Sequence, residues 1–128
     1  MDSRARFEQT FTGLASAVQA RIWQQVYGPE YPAWADPFSY ISVTELRQFT
    51  HKLHAAPGQC LVDAGCGHGG PGLWVAAATG ARLIGIDPAE AALAAARRRA
   101  DQAGMASQPA SARELSPTPG CPAVRPRR

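Results

Sequence analysis

The chain has 128 residues, 45% of them apolar and 18% charged, and its 13 basic and 10 acidic side chains leave a formal net charge of +3. A body of about 106 residues is long enough for one domain. No apolar run reaches the roughly 18 to 20 residues of a membrane span and no secretory leader precedes the first helical pattern, so a soluble, cytoplasmic protein without a membrane partner is expected. The positive charge does not mark a nucleic-acid binder: Arg113, Arg125, Arg127 and Arg128 against Glu114 supply the whole excess, and the rest of the chain is neutral.

Phe7, Phe11, Leu14, Val18, Ile22 and Val26 recur at intervals of three and four, which predicts one amphipathic helix over 4–27, ended by Gly28-Pro29, with this stripe packed in a core. From Glu30 to Tyr40 the prolines forbid regular structure, while the aromatic residues call for a surface to pack on. Ser42-Val43-Thr44-Glu45 then reads as a capping box ahead of Leu46, Phe49 and Leu53, giving a shorter helix that stops before Pro57-Gly58. His51 and His54 share a face of that helix, but no second pair with suitable spacing completes a tetrahedral site, and no metal is expected.

Residues 61–70, Leu-Val-Asp-Ala-Gly-Cys-Gly-His-Gly-Gly, form a short apolar strand that meets an acid and runs into a glycine-rich turn. Such a turn allows a ligand to approach the backbone, and its N–H groups with the next helix's N-terminus favour electron-rich groups. Pro71 suits a first helical turn, Leu73-Trp74-Val75-Ala76-Ala77-Ala78 is apolar all round and so expected to be buried, and Gly80 can end the helix. Arg82-Leu83-Ile84-Gly85-Ile86-Asp87 is a second strand ending in an acid, so the order strand, glycine turn, helix, strand predicts a right-handed parallel unit. Asp87 lies 20 residues after Gly67, near the separation at which such units place a ribose-binding acid. It also fits a helix start, with Asp87 at N-cap, Pro88 at N1 and Glu90 at N3, and one carboxylate can serve both roles. The helix from Ala89 to Ala103 carries Arg97, Arg98 and Arg99, read as a solvated face, and ends at Gly104.

Two spacings compete for the turn. Gly65, Gly67 and Gly70 satisfy G-x-G-x-x-G, the dinucleotide fingerprint, whereas Asp63-x-Gly65-x-Gly67-x-Gly69 places a carboxylate where a pyrophosphate would be repelled and a cationic cofactor tolerated. Val-Asp-Ala-Gly-Cys-Gly resembles motif I of the class I S-adenosylmethionine-dependent methyltransferases. The resemblance implies an α/β, Rossmann-like class I methyltransferase fold with an N-terminal helical cap, S-adenosyl-L-methionine as cofactor, and methyl transfer to a small-molecule acceptor. It implies cofactor contacts at Asp63, Gly65, Cys66, Gly67 and Gly69, with Asp63 beside the methionine ammonium and Asp87 as the ribose-binding residue of motif II. In similar small-molecule enzymes N-terminal helices and an aromatic loop close over cofactor and acceptor, which makes Tyr27, Tyr31, Trp34 and Tyr40 candidates for a substrate lid. His68 lies in the turn with no sequence partner to orient it as a base, and no catalytic residue is assigned. A nicotinamide-dependent oxidoreductase fragment and a non-enzymatic cofactor-binding remnant are the alternatives.

The pattern of elements ends near residue 106. Residues 107–128 hold five of the eleven prolines and only Leu115 and Val124 as large aliphatics. The expected organisation is a helical cap over 1–56, a partial cofactor-binding unit over 57–106 and a disordered tail over 107–128 of the kind a shifted reading frame yields, so the expectation is a fold truncated after its second strand and an inactive fragment. Three unpatterned cysteines, Cys60, Cys66 and Cys121, fit a reducing compartment.

Overall fold

The computed structural model describes residues 6, 9, 17–35 and 41–105. Helix α1 spans Ala17–Tyr27, and Arg6 and Gln9 are also helical; the rest of 4–16 in the expected 4–27 helix, with Phe7, Phe11 and Leu14, lies outside the described residues. The aliphatic stripe is not core. Val18, Ile22 and Val26 are 64%, 51% and 66% exposed, and the neighbouring stripe of Ala20, Trp23 and Tyr27 faces the protein instead. The two stripes are offset by about 100° on the helix, and the one with two aromatic rings offers more area to cover. Trp23 and Tyr27 pack on each other with ring centroids 5.8 Å apart.

A 3-10 turn at Gly28–Glu30 follows, closed by Tyr31 N–H on the Gly28 carbonyl. Helix α2, Val43–Leu53, begins with the expected capping box: the Ser42 hydroxyl accepts from Glu45 N–H at 3.2 Å, and Glu45 returns a carboxylate oxygen to Ser42 N–H at 2.8 Å. A further N–H of that first turn, Thr44's, donates to Glu30 Oε2 at 2.9 Å, which ties the 3-10 turn to α2. Of the three apolar residues that follow the box, Leu46 is buried and Phe49 and Leu53 are about half exposed. His54 ends α2 in the left-handed conformation.

Strand β1, Cys60–Ala64, and strand β2, Arg82–Ile86, pair in parallel with Leu61 opposite Leu83 and Asp63 opposite Gly85. Helix α3, Gly70–Thr79, connects them, and helix α4, Glu90–Gln102, follows β2. Leu73 and Ala76 of α3, Leu83 of β2 and Ala100 of α4 form the core, with Leu61 and Met105 packed against it. Both helices therefore cover the Leu61–Leu83 face of the sheet. Side chains alternate along a strand, so Val62 points to the other face and is 55% exposed. Within α3 the apolar run is only half used: Leu73, Val75 and Ala76 are buried while Ala77 and Ala78 face solvent, because one side of the helix meets the sheet.

Helix α4 starts later than the cap pattern implies. Its N-cap is Ala89, with no side-chain cap, and Asp87 stands two residues upstream. The carboxylate is engaged elsewhere, as the site geometry shows.

Replacing Ser42 by alanine removes half of the capping box and is expected to lower stability by about 1 kcal/mol in urea unfolding. Glu30 carries a pH signature of the same junction. The Thr44 backbone amide, its hydroxyl and, less strongly, Arg47 hold the Glu30 carboxyl below its ordinary value of 4.5. The sign follows: this contribution is present above pH 4.5 and is lost as pH falls through the lowered folded value. Glu30→Gln should abolish that part of the acid transition.

Candidate functional site

The turn Gly65–Gly69 sits at the C-terminal ends of both strands, where open α/β sheets place their ligands. Gly65, Gly67 and Gly69 have φ of 77°, 50° and 77°, in the left-handed region that a β-carbon disfavours. The backbone wraps over the end of β2: the Ile86 carbonyl accepts from Gly65 N–H at 2.7 Å and Cys66 N–H at 3.1 Å. Gly67 N–H donates to Asp87 Oδ2 at 2.8 Å, and Gly69 N–H to the Cys66 carbonyl at 2.8 Å. Four of the turn's donors are thus satisfied within the protein. These four are therefore not among the free N–H groups expected for electron-rich ligand atoms.

Asp87 is 6% exposed and uses both oxygens. Oδ2 takes the Gly67 N–H, and Oδ1 takes Ala89 N–H at 2.8 Å in a local Asx turn. This geometry explains why Asp87 does not cap α4: its side chain closes the bend after β2 and reaches back across 20 residues to the glycine turn. Each oxygen retains one lone-pair direction for a further donor.

Asp63 lies inside β1 on the face that meets α3. Its Oδ2 rests against Gly72 so closely that a β-carbon there would overlap it. Burial, and secondarily the negative charge of Asp87, push its carboxyl above the ordinary 3.8. Among the described residues neither Asp63 nor Asp87 has a basic partner. Cys66 is a free, buried thiol whose Sγ occupies space next to Gly85, where a β-carbon would come to 2.8 Å. Burial first, then the charges of Asp63 and Asp87, push this thiol up to about 11. The turn is therefore flanked by two carboxylates.

The structure brings Asp63, Gly65, Cys66, Gly67, Gly69 and Asp87 together around one turn. It also shows two positions that sequence reading passed over, Gly72 and Gly85, and gives Gly70 a reason other than the dinucleotide spacing: each glycine makes room for a neighbour distant in sequence. His68 is half-buried in the turn. His51 and His54 are exposed at the end of α2 with rings 5.9 Å apart, and among the described residues no three potential ligands gather for a metal. Trp34 meets Trp74 of α3 edge-on, centroids 6.1 Å apart, while Tyr31 and Trp34 line a cavity of about 640 Å³ between α1 and α4. Tyr40 lies outside the described residues. A second, apolar cleft of about 280 Å³ between α2, β1 and α3 has Asp63 as its one charged wall residue. No helix among the described residues is long and apolar enough to cross a membrane.

Residues 61–121 match the model of a family described as a methyltransferase domain. Over 80 residues the chain is 32% identical to methyltransferase GfsG of Streptomyces halstedii, which covers 59% of this chain and 29% of that protein. Among solved structures, geranyl diphosphate C-methyltransferase from Streptomyces coelicolor A3(2), in complex with Mg2+, geranyl diphosphate and S-adenosyl-L-homocysteine, is similar at 26% identity and a TM-score of 0.51, over 59% of this chain and 29% of that one. A geranyl diphosphate methyltransferase in complex with GPP and sinefungin, at 20% identity, shares the fold with a TM-score of 0.62 over 91% and 50% of the two chains. The chain spans between 29% and 50% of the length of these relatives. The two parallel strands and their helices are part of the Rossmann-like class I methyltransferase fold. The family match includes 107–121, a stretch read from composition as a tail; its structure lies outside the described residues.

Asp63 gives the site a measurable pH dependence. A carboxyl whose folded value is raised holds its proton more tightly when folded, so its contribution is most favourable below 3.8 and declines as pH rises through the raised value. Asp63→Asn should therefore gain stability relative to the parent as pH rises from 4 to 7, measured by urea unfolding. Loss of stability at pH 7 in this variant would show that the carboxylate is needed by the fold itself.

Proposed function

We propose, from the premise that this chain is part of a class I S-adenosylmethionine-dependent methyltransferase, that its glycine turn binds S-adenosylmethionine for methyl transfer to a small-molecule acceptor. The observation that carries the reading is the pair of carboxylates at the turn, neither of which has a basic partner among the described residues. Asp63 and Asp87 flank the turn, and its N–H donors at 65, 66, 67 and 69 are already used. A pyrophosphate placed there would meet two carboxylates and few free donors; an ammonium and a sulfonium meet attraction. This favours the cationic cofactor over the dinucleotide that the Gly65, Gly67, Gly70 spacing also fits.

In this reading Asp63 stands nearest the methionine ammonium, Gly65, Cys66, Gly67 and Gly69 present backbone to the cofactor, and Asp87 accepts from the ribose hydroxyls with its remaining lone pairs. The cofactor supplies an electrophilic methyl group on sulfur. This chain's contribution is to hold that group in one orientation, since in-line displacement gains most of its rate from alignment and exclusion of water. The proposed acceptor class follows the similar structures, one of which holds geranyl diphosphate. No described side chain is given a proton-transfer role.

Calorimetry with S-adenosylhomocysteine and with NADH tests the proposal. Binding of the first and not the second is expected, and Gly67→Val should abolish it, because a β-branched residue resists φ of 50° and covers the backbone. Asp87→Ala should weaken binding by about 1.5 to 3 kcal/mol, as for a lost hydrogen bond to a charged group. That loss should be smaller for an analogue lacking the 2′ and 3′ hydroxyls, by the share that the ribose contact contributes. An equal loss with the analogue would leave Asp87 a structural brace only.

A further inference from the structure

Arg99 was expected on a solvated face with Arg97 and Arg98, and those two are exposed. Arg99 is not. It is half-buried, and its Nη1 donates to the Ala35 carbonyl at 2.5 Å, joining residues 64 positions apart. Ala35 is itself fully buried. The same carbonyl presses on Gly70, the first residue of α3, so closely that any β-carbon there would overlap it, and Arg99 Nη1 lies 3.0 Å from where that β-carbon would stand. One turn earlier on α4, Ala96 packs against Gly69, which ends the glycine turn. Helix α4 thus touches the turn with Ala96 and, through Arg99, clamps the 28–35 segment onto the residue that follows it. The Trp34–Trp74 contact lies beside the clamp.

We infer that Arg99 is a positioning residue for the cofactor turn: its bond to the Ala35 carbonyl seats the 28–35 segment on Gly70 and so fixes the conformation of Gly65–Gly69. Two features make this more than a surface hydrogen bond. A charged donor to a buried carbonyl is among the stronger neutral-acceptor bonds, and breaking it strands a buried acceptor. Gly70 is also the only residue type that lets the carbonyl sit where it does, so the two halves of the clamp are separately mutable. The affinity part of this inference rests on the cofactor reading of the turn; the conformational part does not.

The test uses the full 128-residue chain and four forms of it: parent, Arg99→Ala, Gly70→Ala and the double variant, with Arg99→Lys as the conservative control. Amide hydrogen exchange without ligand should rise in 28–35 and 65–72 for both single variants, with 82–86 unchanged. Affinity for S-adenosylhomocysteine should fall about tenfold in each single variant, and no further in the double variant, because both remove one contact. Arg99→Lys, which keeps a charge and a donor, should fall between. A uniform rise in exchange across the chain, multiplicative effects in the double variant, or unchanged affinity in a folded Arg99→Ala protein would overturn the inference. If the parent chain itself does not bind S-adenosylhomocysteine, the cofactor reading fails, and the exchange pattern still decides whether Arg99 sets the turn.

Discussion

The carboxylate of Asp87 holds this architecture at its functional end. With one oxygen it closes the bend between β2 and α4 at Ala89, and with the other it reaches Gly67 in the middle of the glycine turn. Two segments that each follow a strand are thereby joined above the sheet, and the Ile86 carbonyl reinforces the joint by accepting from Gly65 and Cys66. Because the side chain is buried, replacing it costs a desolvated donor on either side as well as the bond itself. The site's shape and the fold's continuity are here the same interaction.

The turn's chemistry follows from what surrounds that interaction. Asp63 approaches from β1 and is tolerated only because Gly72 leaves room for it, and Cys66 folds beneath the turn only because Gly85 leaves room for its sulfur. Burial is the larger cause of the raised Asp63 carboxyl and Cys66 thiol, with the charge of Asp87 adding to the first and those of Asp63 and Asp87 adding to the second. A polar group held in an unfavourable setting is a form of stored destabilisation that a complementary ligand relieves.

Local signals in the sequence were read correctly where local physics decides. The Ser42 capping box, the stop at Gly80 and the strand, turn, helix, strand order all depend on residues within a few positions of each other. Reading failed where a distant neighbour decides. The Val18, Ile22, Val26 stripe has a core period, yet the side of α1 bearing Trp23 and Tyr27 faces the protein. Asp87 looks like an N-cap by spacing, but α4 begins two residues later and the carboxylate joins Ala89 to Gly67 instead. Arg99 looks like part of a charged face until Ala35 is placed beside it. Among the glycines, Gly65, Gly67 and Gly69 announced themselves through the motif, while the tight neighbours of Gly70, Gly72 and Gly85 appear only once the atoms beside them are placed.

The central claim is that one turn, fixed by Asp87, is where an S-adenosyl cofactor rests. Residue-resolved amide protection on adding S-adenosylhomocysteine tests it most directly. The account predicts new protection concentrated in 63–70 and 87–89, absent when NADH replaces the ligand. Protection centred on the apolar cleft between α2 and α3, or equal protection of the turn by NADH, would contradict it.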